Sequence, residues 1–216
     1  MTLLKIFLAA TLAIVIPFSQ ANAGNKIEGI AISPSSSEGA ILLKVPNLPV
    51  QYTFMFSKNG KSGFGSRVYL MKVDPKFNQG QFQYISRTLK PGSYRLDAIF
   101  QQSGWSVCLN ESAFSADIQA GEITYVGNVD PRPALDNLYR QATGKGETTI
   151  PQGSLHTYWS DIPRPMITGR DDDEMRNAEQ FVKTTMTKSS APIRLANISE
   201  ASFSVSGTNK AIQVCG

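Results

Sequence analysis

The chain has 216 residues, of which 41% are hydrophobic and 18% charged, with a net charge of +4, two cysteines and one histidine. That hydrophobic share can bury a core for one medium domain or two small ones, which excludes global disorder. Two cysteines and one histidine cannot supply a zinc cage of four His/Cys ligands, and any Ser-His-Asp enzyme would have to be built on His156.

Residues 1–23 are expected to form a cleaved secretory signal peptide. Lys5 provides a positive start, Ile6 to Phe18 an apolar run, and Ala21-Asn22-Ala23 a small-x-small end. The apolar run is 13 residues long, short of the ~20 that cross a bilayer. No cysteine follows the expected cut, which argues against a lipid anchor, and no later segment is apolar enough to span a membrane. The expected location is therefore periplasmic or secreted. In an oxidising compartment Cys108 and Cys215 are expected to pair in one structural disulfide that pins the C-terminus to the domain.

Residues 24–129 carry the alternation of half-buried strands. Ile41, Leu43 and Val45 share one face, as do Tyr52, Phe54 and Phe56, then Tyr69, Met71 and Val73. Tyr94, Leu96, Ala98 and Phe100 follow the same period, and Ile123, Tyr125 and Val129 close the series around Gly127. Turn residues separate these runs at Asn59-Gly60, Asp74-Pro75, Pro91-Gly92 and Ala120-Gly121. Strands at this spacing without intervening helices predict a mainly β fold, an antiparallel β-sandwich.

At Asp130-Pro131-Arg132-Pro133 the pattern changes, and residues 130–216 read as a Pro-rich, helix-containing extension packed on the sandwich. Leu135, Leu138, Tyr139 and Ala142 follow the i, i+3, i+4, i+7 spacing of a short helix that Gly144 would end. A longer helix is expected from about Asp172, with Met175, Ala178, Val182 and Met186 as its apolar stripe and Phe181 and Thr185 beside it. Its acidic start at Asp171 to Glu174 suits the helix macrodipole, as do Lys183 and Lys188 towards its end, and Pro192 would stop it. Ala211 to Val214 is expected to be a last strand leading to Cys215.

Motifs that would carry chemistry are sparse. Gly60-Lys61-Ser62 lacks the glycine a phosphate loop needs five positions earlier, where Met55 stands, and Gly146 takes the place of Ser or Thr after Gly144-Lys145. His156 has Asp161 nearby, yet no serine sits in a Gly-x-Ser-x-Gly elbow. The acidic run Asp171 to Glu174 lacks the alternating ligands of a calcium loop and reads as a helix cap. Asp97, Asp117 and Glu122 offer carboxylates, but no spacing brings two of them together. Neither a catalytic group, a cofactor nor a metal is expected. Asn110-Glu111-Ser112 and Asn197-Ile198-Ser199 are glycosylation sequons, relevant only in a host that uses them.

One surface feature stands out. Lys58, Lys61, Arg67, Lys72 and Lys76 make a basic strand–loop–strand with Phe64 and Tyr69 interleaved. Lys58, Lys61, Arg67, Phe64 and Tyr69 form a candidate polyanion contact, against the plainer reading of a solvated hairpin whose lysines discourage edge pairing.

Leu89-Lys90-Pro91-Gly92-Ser93-Tyr94-Arg95-Leu96, followed by Phe114 and then Gly121-Glu122-Ile123-Thr124-Tyr125-Val126-Gly127, resembles small bacterial envelope β-sandwiches of unknown function. These are broadly similar to carboxypeptidase-regulatory-like and transthyretin-like domains. The resemblance covers about residues 65–130 and implies a β-sandwich but no catalytic residues. Many members of that group are lipoproteins, and this chain lacks the lipidated cysteine.

The sequence thus leads to an expectation of a non-enzymatic binding or accessory protein of the cell envelope. Its expected partner is another envelope or secreted protein, with cell-wall polymer second and nucleic acid disfavoured. A polyanion- or carbohydrate-binding module is the first alternative, and a hydrolase built on His156 is the second.

Overall fold

The computed structural model describes residues 27–58, 68–76, 80–101, 105–144, 156–158, 161–204 and 215, with His156 and Thr157 through their backbone. After a 3-10 turn at Ile27–Gly29 come the strands β1 (Gly39–Pro46), β2 (Tyr52–Lys58), β3 (Val68–Val73), β4 (Phe82–Leu89) and β5 (Gly92–Gln101). Then follow β6 (Trp105–Cys108), β7 (Ala113–Ile118), β8 (Ile123–Asp130), the helix α1 (Arg132–Gly144), β9 (His156–Tyr158) and β10 (Met166–Thr168). The helix α2 (Asp172–Thr185) precedes β11 (Ile193–Leu195) and β12 (Ile198–Ala201).

The strands form two sheets with the main core between them. In the first, β4, β1 and β8 lie side by side, and β10 and β11 share the far edge of β8. In the second the order is β12-β7-β5-β2-β3, while β6 pairs with the second half of β5 and carries β9 on its other side. Most pairs are antiparallel, but β1/β8, β8/β11 and β6/β9 are parallel. The mainly β sandwich with two helices that the alternation predicted is therefore the fold. Residues beyond 130 contribute strands to both of its sheets.

β1 explains the layering. It is buried along nearly its whole length, as a continuous apolar run should be when both faces of a strand are covered. Ile41, Leu43 and Val45 enter the inter-sheet core with Tyr52, Phe54, Phe56, Met71 and Phe114. Ala40 and Leu42 face the other way, joining Ile123 and Tyr125 under Ala178 and Val182 of α2 and Met186 just after it. The stripe expected for α2 is thus the stripe it buries, with Met175 and Phe181 at its margin. Asp171 caps the helix by accepting from the Glu174 N–H at 2.9 Å. The helix ends at Thr185, well before Pro192, which leaves Lys188 beyond it.

Two expected strand faces come out differently. In β5 the pairing runs Met55 with Ala98 and then Phe56 with Leu96, so Asp97 is an extra residue, a β-bulge. Tyr94, Leu96 and Ile99 face the core, whereas Ala98 and Phe100 join Met55 and Cys108 on the outer face. In β8 a register shift opposite Leu42/Leu43 turns Ile123 and Tyr125 towards α2 and Val126 and Val129 into the core.

The outer face of the second sheet carries the disulfide between Cys108 and Cys215, whose Cα atoms lie 5.5 Å apart. The expected strand at Ala211 to Val214 lies outside the described residues. No helix among the described residues is long and apolar enough to cross a membrane.

Candidate functional site

α1 closes one end of the sandwich. Pro131 and Pro133 frame its first turn, where a missing N–H is tolerated. Asp130, the last residue of β8, fixes that turn. Its Oδ1 accepts from the Arg132 N–H at 2.9 Å, and its two oxygens accept from Arg132 Nε at 2.9 and 2.8 Å. Asp130 in turn raises the Arg132 guanidinium above its ordinary range, by hydrogen bonding and then by charge. Below it, Tyr52 donates to the Pro46 carbonyl at 2.7 Å, and burial together with the Asp130 charge pushes its hydroxyl far above the usual tyrosine range. The Asp130–Arg132 bonds tie the first turn of the helix to β8, and Ala134, Leu135, Leu138 and Ala142 are buried.

Tyr139 departs from its expected place in the apolar stripe. It is 60% exposed, because the core contacts of α1 centre on Leu138 and Ala142, and the i+4 position from Leu135 falls outside that arc. It lies on the same helix face as Arg132 and Asp136, at i, i+4 and i+7. That face borders a groove of about 260 Å³ whose other lining comes from Leu48, Pro49 and Val50, between β1 and β2, and from Gln101 at the end of β5. The Gln101 Oε1 is buried and has no hydrogen-bond partner among the described residues. The groove thus combines an apolar lining, one exposed aromatic ring, a carboxylate, a guanidinium and an amide acceptor without a donor. Composition of this kind is what small-ligand sites share.

A wider hollow of about 460 Å³ runs along Gly29 to Ile32, Ser36 to Glu38 and Thr88. Its rim is tied up locally, since Ser36 Oγ accepts from the Ser33 N–H at 2.9 Å and Ser189 bridges Ile32 and Ile30. It brings no comparable set of side chains together.

Of the residues singled out from the sequence, Lys58 and Tyr69 lie on the paired strands β2 and β3. Lys61, Phe64 and Arg67 lie outside the described residues. Lys58 ends β2, half-buried. Tyr69 on β3 packs against the core, edge-on to Tyr94 at 5.2 Å, with the Arg87 guanidinium 5.6 Å over its ring. Lys72 pairs with Asp74 at 2.9 Å. His156 opens β9, its backbone paired with Trp105, and its side chain lies outside the described residues. Asp161 adopts a left-handed φ of 56° and gives its carbonyl to Asn137.

Asp97, Glu122 and Glu174 are engaged in structure. Asp97 is wholly buried and accepts from Arg95 Nε; burial raises its carboxyl above the usual range, while Ser57 and Arg95 pull it back. Glu122 pairs with Arg194, and Glu174 with Lys44 at 2.8 Å. Among the described residues no group of three or more His, Cys, Asp or Glu side chains could hold a metal ion.

The groove escaped the sequence reading because three of its eight lining residues come from a loop, Leu48 to Val50, that carries no motif. The spacing of Arg132, Asp136 and Tyr139 was the available signal. No protein family, no curated protein and no solved structure matches this chain.

Proposed function

We propose that this protein is a non-enzymatic binding protein of the cell envelope, acting in the periplasm or after secretion, and that it holds its ligand in the α1 groove. The observation that carries this reading is the groove itself: it is lined both by Tyr139, 60% exposed, and by Gln101, whose buried Oε1 has no hydrogen-bond partner among the described residues. An aromatic ring left exposed on a helix offers a flat apolar face to a ligand, and a desolvated acceptor without a donor is completed by one that a ligand brings. A binding role is further supported by Asp97, Asp130, Glu122 and Glu174, each engaged in an ion pair with an arginine or lysine. The signal-peptide pattern of residues 1–23 and the pairing of Cys108 with Cys215 support the location.

The test is capture from the envelope fraction by the chain from Gly24 onward, comparing wild type with Tyr139→Ala and with Lys58→Ala. Loss of the captured species with Tyr139→Ala alone is the expected result. Loss with Lys58→Ala alone, together with salt-sensitive retention on heparin, would replace the groove by the basic hairpin. Turnover of an ester, peptide or glycoside panel that disappears in His156→Ala would replace binding by hydrolysis.

A further inference from the structure

Resting on the reading that the α1 groove is the binding point, we infer that its ligand is a neutral sugar ring. A pyranose has an apolar face of C–H bonds and a rim of hydroxyls, each able to donate and accept. It therefore needs a flat ring to pack on and planar polar groups within reach of adjacent hydroxyls. The groove supplies both. Tyr139 offers the ring; Asp136, three residues before it on the same helix face, offers a carboxylate that accepts two hydroxyls; Arg132 offers donors. Arg132 engages Asp130 through Nε and Nη2, so its Nη1 is the donor without a partner among the described residues. The Gln101 Oε1 is the buried acceptor that one sugar hydroxyl would satisfy.

Charge and size select within that class. Arg132 is neutralised by Asp130, so Asp136 leaves the groove lining negative, which disfavours phosphate, sulfate and uronate groups. A volume of about 260 Å³ falls below the ~300–1,000 Å³ of drug-sized sites, which suits one ring rather than a buried chain. Leu48, Pro49 and Val50 add apolar lining to the same groove, against which the C–H face of a sugar would pack.

The experiment is isothermal titration of the chain from Gly24 onward with four probes: glucose, N-acetylglucosamine, and the β-1,4-linked tetramers cellotetraose and chitotetraose. Heparin serves as the anionic control. Expected are saturable binding of at least one neutral probe, no Tyr139-dependent binding of heparin, and a loss of about threefold to tenfold in Tyr139→Ala. Tyr139→Phe, which keeps the ring, should retain wild-type affinity, and Gln101→Leu should weaken binding as Tyr139→Ala does. Tighter binding of a tetramer than of its monomer identifies a glycan chain as the source; equal binding identifies a free or terminal sugar. If no neutral probe binds, or Tyr139→Ala binds as wild type does, the inference is overturned. Tyr139-dependent capture of a protein would then preserve the groove as a binding point with a peptide occupant. Capture indifferent to Tyr139 would remove both readings.

Discussion

Tyr84 on β4 stacks on Phe181 of α2, with ring centroids 4.1 Å apart and planes 20° from parallel. The pair anchors α2 to the sheet margin, beside the Lys44–Glu174 ion pair and the Lys44 ammonium 5.1 Å over Phe82. Burial first and the Glu174 charge second push the Tyr84 hydroxyl up to about 12. Folding therefore favours the protonated phenol: its contribution is complete below the unfolded value of 10.0 and is lost as pH rises towards about 12. Thermal melts from pH 8 to 12 should show stability falling above pH 10. Tyr84→Phe should flatten part of that fall, leaving the part due to Tyr52 and Tyr125, whose hydroxyls are raised in the same direction. An identical fall in Tyr84→Phe would refute the assignment.

Arg95 and Asp97 make the buried ion pair of the second sheet, their side chains 10% and 0% exposed, with the Phe203 ring 3.8 Å from the guanidinium. Taking one partner away strands the other in a dry site. Arg95→Met should cost about 3–5 kcal/mol in urea unfolding at pH 7. Arg95→Met with Asp97→Asn should recover much of that loss, because a neutral amide tolerates burial better than a lone carboxylate. Burial holds the Asp97 carboxyl above its ordinary range, and removing Arg95 raises it further. The single variant should therefore gain stability relative to wild type as pH falls and Asp97 takes a proton.

β1, β2 and β3 were legible because each sends one unbroken alternating row into the core. β5 was legible only to Leu96. The bulge at Asp97 exchanges the faces of everything after it, and Leu96-Asp97-Ala98 gives no local sign of this. β4 went unread because its inward positions include polar residues satisfied by tertiary contacts. Gln83 donates to the Asp74 carbonyl at 3.0 Å, and Arg87 donates to the Leu70 carbonyl across the open edge of the sandwich. The parallel pairing of β1 with β8 was also illegible, since partner choice depends on contacts made far apart in the chain. Of the candidate site, the helix carrying Tyr139 could be read, but the exposure of that ring could not. Whether an i+4 residue faces the core depends on where the sheets meet the helix.

The Cys108–Cys215 disulfide lies inside the fold, the two residues 1% and 2% exposed beside Met55 and Ala98. Dithiothreitol should leave it intact in native buffer and reduce it in urea, as read by intact mass after alkylation. The bond closes a separation of 107 residues. Replacing both cysteines by serine should lower stability by about 4 kcal/mol if chain entropy accounts for the bond. Ready reduction under native conditions would mean that the C-terminus leaves the sheet without unfolding.

Arg170 and Gly127 together determine how β10 and β11 share one edge of β8. Between the two short strands Arg170 donates to the Val126 carbonyl at 2.7 Å and to the Ala196 carbonyl at 2.6 Å, satisfying acceptors that neither strand reaches. Gly127 makes room beside it. Its φ is 118°, and a Cβ there would come within 2.7 Å of the Thr168 carbonyl oxygen and 3.0 Å of Arg170 Cγ. Gly127→Ala imposes an unfavourable backbone conformation and forces β10 away from β8, and strain of this kind costs about 1–3 kcal/mol. Arg170→Met should cost a similar amount by leaving two carbonyls without donors. Because both changes dislodge the same contact, the double variant should lose less than the sum of the two in urea unfolding. Full additivity would show that β10 is held by its ladder to Asn128 and Asp130 without help from the guanidinium.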